Sequence, residues 1–437
     1  MADPVADLLR YIDACPTPYH AVAEAVRRLG EAGFQPLPET QAWELAPGDR
    51  RTLVRGDGSL VAFQVGAVSP AQSGYRVIGA HTDSPNLRVK PLPDVDAHGY
   101  RQLAVEIYGG VLLHTWLDRD LSLAGRVTLR DAGGTRSQLI DFARPLLRVP
   151  SLAIHLDREQ RSEGLKLDPQ VHLVPLLGLE QTPALSELIA DELRERGAAE
   201  IAGDDVLAFD LMTYDLQPAA LAGARGEFIH AARLDNLASC HAGLAALIAG
   251  AAAPLPRFTR VLALYDHEEV GSRTAQGAAG TLLAEALERI ATGVPGGERQ
   301  AGARALAHSM LISVDTAHAV HPNYADRHEP GHRPLLGRGP VIKRNANQRY
   351  ASDARSAGLF RDLCRRAGFE PQHFVSRNDL PCGSTIGPIS AARVGLATVD
   401  VGSPLLSMHS CREMAGAADV GPMIDVLRLF FAGDAAA

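Results

Sequence analysis

The tightest constraint on this chain is the stretch Tyr265-Asp266-His267-Glu268-Glu269-Val270-Gly271-Ser272, directly behind the apolar run Arg260-Val261-Leu262-Ala263-Leu264. A run of that kind reads as a buried strand, and the acidic pair falls where the strand would end. In open α/β sheets, ligands sit just outside the carboxyl ends of the strands. Two adjacent carboxylates there repel one another. A metal held by one, with its neighbour kept back as a proton shuttle, relieves the repulsion. A solvated turn at a strand end is the other reading of an acidic pair.

At 437 residues the chain is long enough for two domains or one enlarged one. It is 46% hydrophobic and 22% charged, ordinary values for a globular protein. The formal net charge of −8 argues against nucleic acid or an anionic membrane as a general partner. Cys15, Cys240, Cys364, Cys382 and Cys411 are scattered and form no CxxC pair, which favours a reducing compartment and disfavours a thiolate metal site. The start, Met1-Ala2-Asp3-Pro4-Val5, lacks the basic and apolar regions of a secretory signal. The most apolar segment, Ala242 to Ala253, is too short to span a bilayer and reads as a buried helix. The expectation is a soluble, cytoplasmic protein.

Residues Pro4 to Gly33 carry helical spacing interrupted by Pro16 and Pro18. Leu60 to Val65 and Tyr75 to Ala80 read as strands, the second running straight into His81-Thr82-Asp83. Between about Arg88 and Phe228 the pattern becomes alternating, as in Leu103 to Tyr108, Gly125 to Arg130 and Val206 to Leu211, which predicts antiparallel strands. A helical stretch, Ala184 to Arg196, interrupts them. After His230, helix and strand alternate again. The predicted fold class is α/β: a mixed-sheet domain made of residues 1–90 and 229–437, with a β-rich domain, 91–228, inserted. A Gly-rich loop near Gly293 to Gly302 and the tail from Ala432 carry no motif.

Five places set Asp, Glu or His at or beside the end of an apolar run: His81 with Asp83, Asp235, Glu268 with Glu269, Asp315, and His409. Each has a structural alternative taken singly: a hydrogen-bonded core histidine, a helix cap at Asp235 or Asp315, a loop histidine. Together, two histidines and three carboxylates suit a pair of divalent ions sharing one bridging carboxylate, with Glu268 left as general base.

Four segments carry a family likeness: Gly79-Ala80-His81-Thr82-Asp83-Ser84-Pro85, Arg233-Leu234-Asp235-Asn236, Asp266 to Ser272, and Ser407-Met408-His409-Ser410-Cys411-Arg412-Glu413. With Asn345 to Tyr350 and Pro381 to Pro388, they resemble, in order and over essentially the full chain, the aspartyl aminopeptidases, a family of dinuclear zinc metallopeptidases. That resemblance implies that His81 and Asp315 bind one metal, Glu269 and His409 the other, and Asp235 bridges them. Zinc is implied, with cobalt or manganese compatible with the same donors. Asp83 would orient His81. Glu268 would take a proton from the metal-bridging water and pass it to the leaving amine.

The resemblance further implies that His155, from a neighbouring subunit, supports the oxyanion. Lys343, with Tyr350 and His318, would receive an acidic first side chain, so the substrates would be peptides beginning with Asp or Glu. A solvated surface role is the alternative for Lys343. The inserted domain would build a homo-oligomer, in the family a dodecamer. Rival readings are a related aminopeptidase or deacylase acting on neutral or N-acylated substrates, and a non-catalytic binding protein on the same scaffold.

Overall fold

The computed structural model describes residues 3–197, 201–295 and 298–433; part of the Gly-rich loop and most of the C-terminal tail lie outside them. Contacts divide the chain into two compact units. The first comprises Met1–Asp83, Ala219–Met408 and Glu413–Ala437, and the second Ser84–Pro218 with His409–Arg412. The fold is mixed α/β, as its sequence pattern predicts.

The first unit is organised by a nine-stranded sheet. From one edge its strands are Gln35–Pro36, Arg50–Arg55, Ser59–Gln64, Thr259–Tyr265, Tyr75–His81, Met310–Val314, Ala397–Gly402, Val341–Arg344 and Gln372–Val375. The four strands from Thr259–Tyr265 to Ala397–Gly402 are mutually parallel. Strands such as Tyr75–His81 and Thr259–Tyr265 are buried at every position. Their near-continuous apolar runs follow from helices covering both faces. One face packs Leu60, Ile78, Leu262 and Ile312 with Leu8, Leu29, Leu244 and Phe430 of the helices Pro4–Asp13, Pro18–Glu31, Leu234–Ala252 and Val420–Ala432. The other packs Val61, Val77, Val261 and Leu311 with Leu283 and Leu287 of Leu282–Gly293 and Ile386 of Ile386–Val394.

A smaller five-stranded sheet in the same unit links Ala220–Ala222, Phe228–Ala231, Glu413–Gly416, Pro404–Leu406 and Ala317–His318. Its strands are two to four residues long.

The second unit is built on a six-stranded antiparallel sheet, ordered Gly134–Asp141, Leu121–Asp131, Val206–Asp215, Asn86–Ala97, Tyr100–Tyr108 and Leu176–Leu179. The helix Leu185–Glu195 packs Leu185, Ile189 and Leu193 against Leu103, Leu123 and Leu211 of this sheet. No helix among the described residues is long and apolar enough to cross a membrane.

Candidate metal centre

Strand register brings the first residues together. Tyr265 pairs with His81, so Asp266 to Glu269 leave the sheet at the level of the histidine. On the other flank Ser313 pairs with Gly79, and Asp315, two residues further, falls at the level of His81, also two residues further. Three neighbouring parallel strands therefore deliver His81, Asp315 and the Glu268-Glu269 pair to one edge, the carboxyl edge where α/β sheets hold ligands.

Asp235 arrives from the helix that covers the sheet. Arg233 adopts the left-handed conformation, and Asp235 and Asn236, joined by a cis peptide, depart from helical angles before the regular helix runs on to Ala252. Three bonds pin this entry. The Asn236 side-chain amide donates to Val314 O at 2.9 Å, and the Cys240 thiol to His81 O at 2.9 Å. The Asp235 backbone N–H donates to Glu413 Oε2 at 3.0 Å. The helix start is thus tied to the ends of the two strands that carry Asp315 and His81.

The resulting cluster is buried, with His81, Asp83, Asp235 and Asp315 each below a tenth exposed. His81 Nε2 lies 3.4 Å from Asp235 Oδ1, 3.6 Å from Asp315 Oδ1 and 4.0 Å from Glu268 Oε2. Ligand atoms of His81, Asp235 and Asp315 all lie within 4.8 Å of one another, as do those of His81, Glu268 and Glu269. On the far side of the ring, Nδ1 is 3.1 Å from Asp83 O and 3.3 Å from its Oδ1. An N–H at Nδ1 directed to Asp83 leaves the Nε2 lone pair aimed into the carboxylates, the arrangement typical of a metal-binding histidine.

Asp83 has a second task that its sequence position does not announce. Its Oδ1 accepts the Glu268 backbone N–H at 3.0 Å and its Oδ2 that of Glu269 at 3.1 Å. His267, in the left-handed conformation, turns the chain so that both amides face this carboxylate. One side chain therefore registers the histidine and both glutamates.

The electrostatics show why a cation suits the set. Burial, reinforced by Asp315, Asp83 and Asp235 against the opposing pull of His81, pushes the Glu268 carboxyl up to about 8. Burial and then Asp235 raise Glu269 well above the usual range. Burial opposes charge on His81, but Asp235, Asp315 and Asp83 outweigh it and raise the imidazole well above its ordinary value. Acids crowded in a dry pocket resist ionisation, and a divalent ion is the counter-charge that lets them ionise together. The donors, one imidazole and several carboxylates, are those that zinc accepts.

Lys343 stands beside this group, buried on the strand Val341–Arg344. Its ammonium donates to Thr316 O at 3.1 Å and is 3.5 Å from Asp315 Oδ2. It lies 5.1 Å from the centroid of the Tyr350 ring. His318 is exposed, its ring 5.6 Å from Phe374, which also meets Tyr350 edge-on.

Two candidates belong to the second unit. His155 occupies an exposed turn, not a strand. His409, also in the left-handed conformation, has Nδ1 3.1 Å from Gly110 O, and its own carbonyl accepts the Leu112 N–H at 3.2 Å. Residues to which the sequence reading assigned no task are Asn236, Glu413, Thr316 and Asp400. In sequence, Glu413 stands out only as the end of the His409 motif, and Asn236 only as the neighbour of Asp235.

Known proteins share this arrangement of sequence. A family model described as aminopeptidase I zinc metalloprotease (M18) matches residues 11–431. The probable M18 family aminopeptidase 2 of Streptomyces coelicolor is 51% identical over 426 residues, covering 97% of this chain and 96% of that protein. Its counterpart in Azotobacter vinelandii is 48% identical over 427 residues, covering 97% of each. Among solved structures, a chain of the Ape4 and Nbr1 complex superposes with a TM-score of 0.95 at 39% identity, covering 98% of this chain and 85% of that one. The mApe1 dodecamer of S. cerevisiae gives 0.84 at 28% identity, covering 98% and 95%. A family model spanning nearly the whole sequence, and relatives about half identical from end to end, make this chain a member of the M18 family of zinc metallo-aminopeptidases.

Proposed function

We propose that this M18 enzyme releases acidic residues, Asp or Glu, from the N-terminus of peptides, using two divalent ions. The observation that carries the hydrolytic reading is the buried meeting of His81, Asp235 and Asp315 within 4.8 Å, with Glu268 Oε2 4.0 Å from the same imidazole nitrogen. In this reading His81 and Asp315 would hold one ion and Glu269 and His409 the other, with Asp235 available to both. For His409 the support is its motif and the Gly110 carbonyl, which holds an Nδ1 proton and leaves Nε2 as the donor atom. When bound, the ions supply Lewis acidity, making water nucleophilic at neutral pH and polarising the scissile carbonyl.

The chain's own residues do the rest. Glu268 receives the proton of the attacking water at its carboxylate and delivers it to the leaving amine. Its carboxylate stands 4.0 Å from the His81 imidazole, beside the atoms that would hold the ions, where a group that takes and gives a proton is needed. Asp83 keeps His81 in one tautomer and holds the backbone of Glu268 and Glu269. Lys343 offers the buried positive charge that an Asp or Glu side chain requires. Burial holds the Tyr350 phenol above its ordinary range, so it stays a hydrogen-bond donor beside Lys343, and His318 flanks the same group.

The second unit is assigned to assembly, by analogy with the mApe1 dodecamer. Leu152, Ile154 and Leu156 around His155 are 62%, 42% and 76% exposed, an apolar group that suits burial by a second copy. In that assembly His155 stabilises the oxyanion of a neighbouring subunit.

The test is a hydrolysis series on peptides beginning with Asp, Glu, Leu and Ala, for wild type and Lys343→Met, with and without added zinc. Zinc-dependent release of Asp and Glu, with the acidic preference lost in Lys343→Met, supports the reading. Preference for Leu or Ala in the wild type removes the acidic pocket and leaves the aminopeptidase.

A further inference from the structure

Two motifs, Asn345 to Tyr350 and Pro381 to Pro388, have no chemical task in the mechanism above beyond Tyr350. A single buried carboxylate joins them. Asp400 lies on the strand Ala397–Gly402, fully buried. Its Oδ2 accepts the Ala351 backbone N–H at 2.6 Å, the residue directly after Tyr350. Its Oδ1 accepts the Thr385 hydroxyl at 2.7 Å, and Thr385 in turn caps the helix Ile386–Val394. Its backbone is held as well: Ser352 Oγ accepts the Asp400 N–H at 2.9 Å and donates to Asp400 O at 3.3 Å.

Two further observations show a position built for this side chain. A Cβ at Gly387 would stand 2.2 Å from Asp400 Oδ1, so only glycine there admits the carboxylate. Ile342 pairs with Val401 in antiparallel register, and one step further Lys343 falls opposite Asp400. Directly opposed residues in such a pair share a face with their Cβ atoms about 5 Å apart. The Asp400 carboxylate thus shares a sheet face with the Lys343 side chain and interacts with its charge.

We propose that Asp400 is a specificity-positioning residue: by tying Ala351 and Thr385 together on the strand beside Lys343, it sets Tyr350 over the Lys343 ammonium and so fixes the grip on the substrate's first side chain. The inference rests on the reading of Lys343 as the receptor for an acidic side chain. It assigns Asp400 no contact with substrate or metal.

The experiment measures KM and kcat of the zinc-loaded enzyme on peptides beginning with Asp and with Ala, alongside zinc content per subunit. In Asp400→Ala, the ratio of KM for the Asp peptide to KM for the Ala peptide is expected to rise about tenfold, the effect of losing hydrogen bonds to a charged group. Zinc content is expected to match wild type. Asp400→Asn can still accept from Ala351 and bond Thr385, and should restore most of the ratio. If Asp400→Ala does not fold, Thr385→Val removes one of the two bonds and should move the ratio the same way by a smaller factor. An unchanged ratio in folded Asp400→Ala, or in Thr385→Val where that variant stands in, overturns the inference, as does a loss of zinc that accounts for the change. A wild type without preference for Asp over Ala refutes the acidic pocket itself; one with the preference, kept by Asp400→Ala, refutes only the role of Asp400.

Discussion

The two sheets use the same building material to different ends. In the nine-stranded sheet the central strands are parallel and covered on both faces, so their carboxyl ends stop at a common level. Side chains far apart in sequence, His81, Glu268 and Asp315, meet there because register puts them there. The six-stranded sheet is antiparallel, its strand ends alternate in direction, and no such level exists. Its candidate residue, His155, is on an exposed turn among exposed Leu152, Ile154 and Leu156. A polar group surrounded by bare apolar side chains has chemistry to offer only once another surface covers it. The first unit gathers its candidate residues inside one chain; under the proposed reading, the second presents His155 to a neighbour.

The largest effect should come from the proton shuttle. Glu268→Gln is expected to lower kcat by about 10³-fold while zinc content stays at the wild-type level. Activity retained within tenfold would move the base elsewhere in the first unit.

Next comes the contrast itself. His155→Ala should reduce kcat by about 10²-fold, the usual cost of losing an oxyanion donor. Co-refolding His155→Ala with Glu268→Gln should recover part of the activity, because each supplies what the other lacks across an interface. Failure to complement would place the action of His155 within its own chain.

Asp83→Asn should weaken zinc binding by about 10–100-fold in a chelator competition, since the neutral side chain holds both His81 and the glutamate amides less well. Unchanged affinity would reduce Asp83 to a packing residue.

The smallest effect concerns Asp419, in the first unit and remote from any claim on the second. Its carboxylate accepts the Gly337 and Gly339 amides at 2.7 Å each, yet burial outweighs these bonds and raises it from 3.8 to about 6. A raised carboxyl stabilises the fold below its ordinary value, and that contribution is lost as pH rises through about 6. The melting temperature of wild type relative to Asp419→Asn should therefore fall between pH 4 and 7, by an amount equivalent to about 2 kcal/mol. A flat difference would show that the amide bonds balance burial, and one that rises with pH that they outweigh it.

Much of the first unit was legible in its residues. The apolar runs at Tyr75 and Arg260 announce buried strands, and the acid or histidine at each strand end marks where the cluster forms. The small five-stranded sheet was not legible, because strands of two to four residues carry no period to read. Nor were the hold of Asp83 on the Glu268 and Glu269 amides and the contacts of Asn236 and Asp400, each defined by backbone groups remote in sequence. The grouping of His409–Arg412 with the second unit depends on contacts such as Cys411 N–H to Thr115 Oγ1, which no local pattern encodes.

By itself, then, the amino-acid order determined the fold class and which residue types stand at strand ends, since burial and period are local properties of a chain. Only the tertiary structure decided that His81 faces Asp235 and Asp315, that Asp83 holds two glutamate amides, and that Asp400 joins Ala351 to Thr385. Those relations are set by strand register and helix docking, and both are settled by contacts between segments that the sequence keeps far apart.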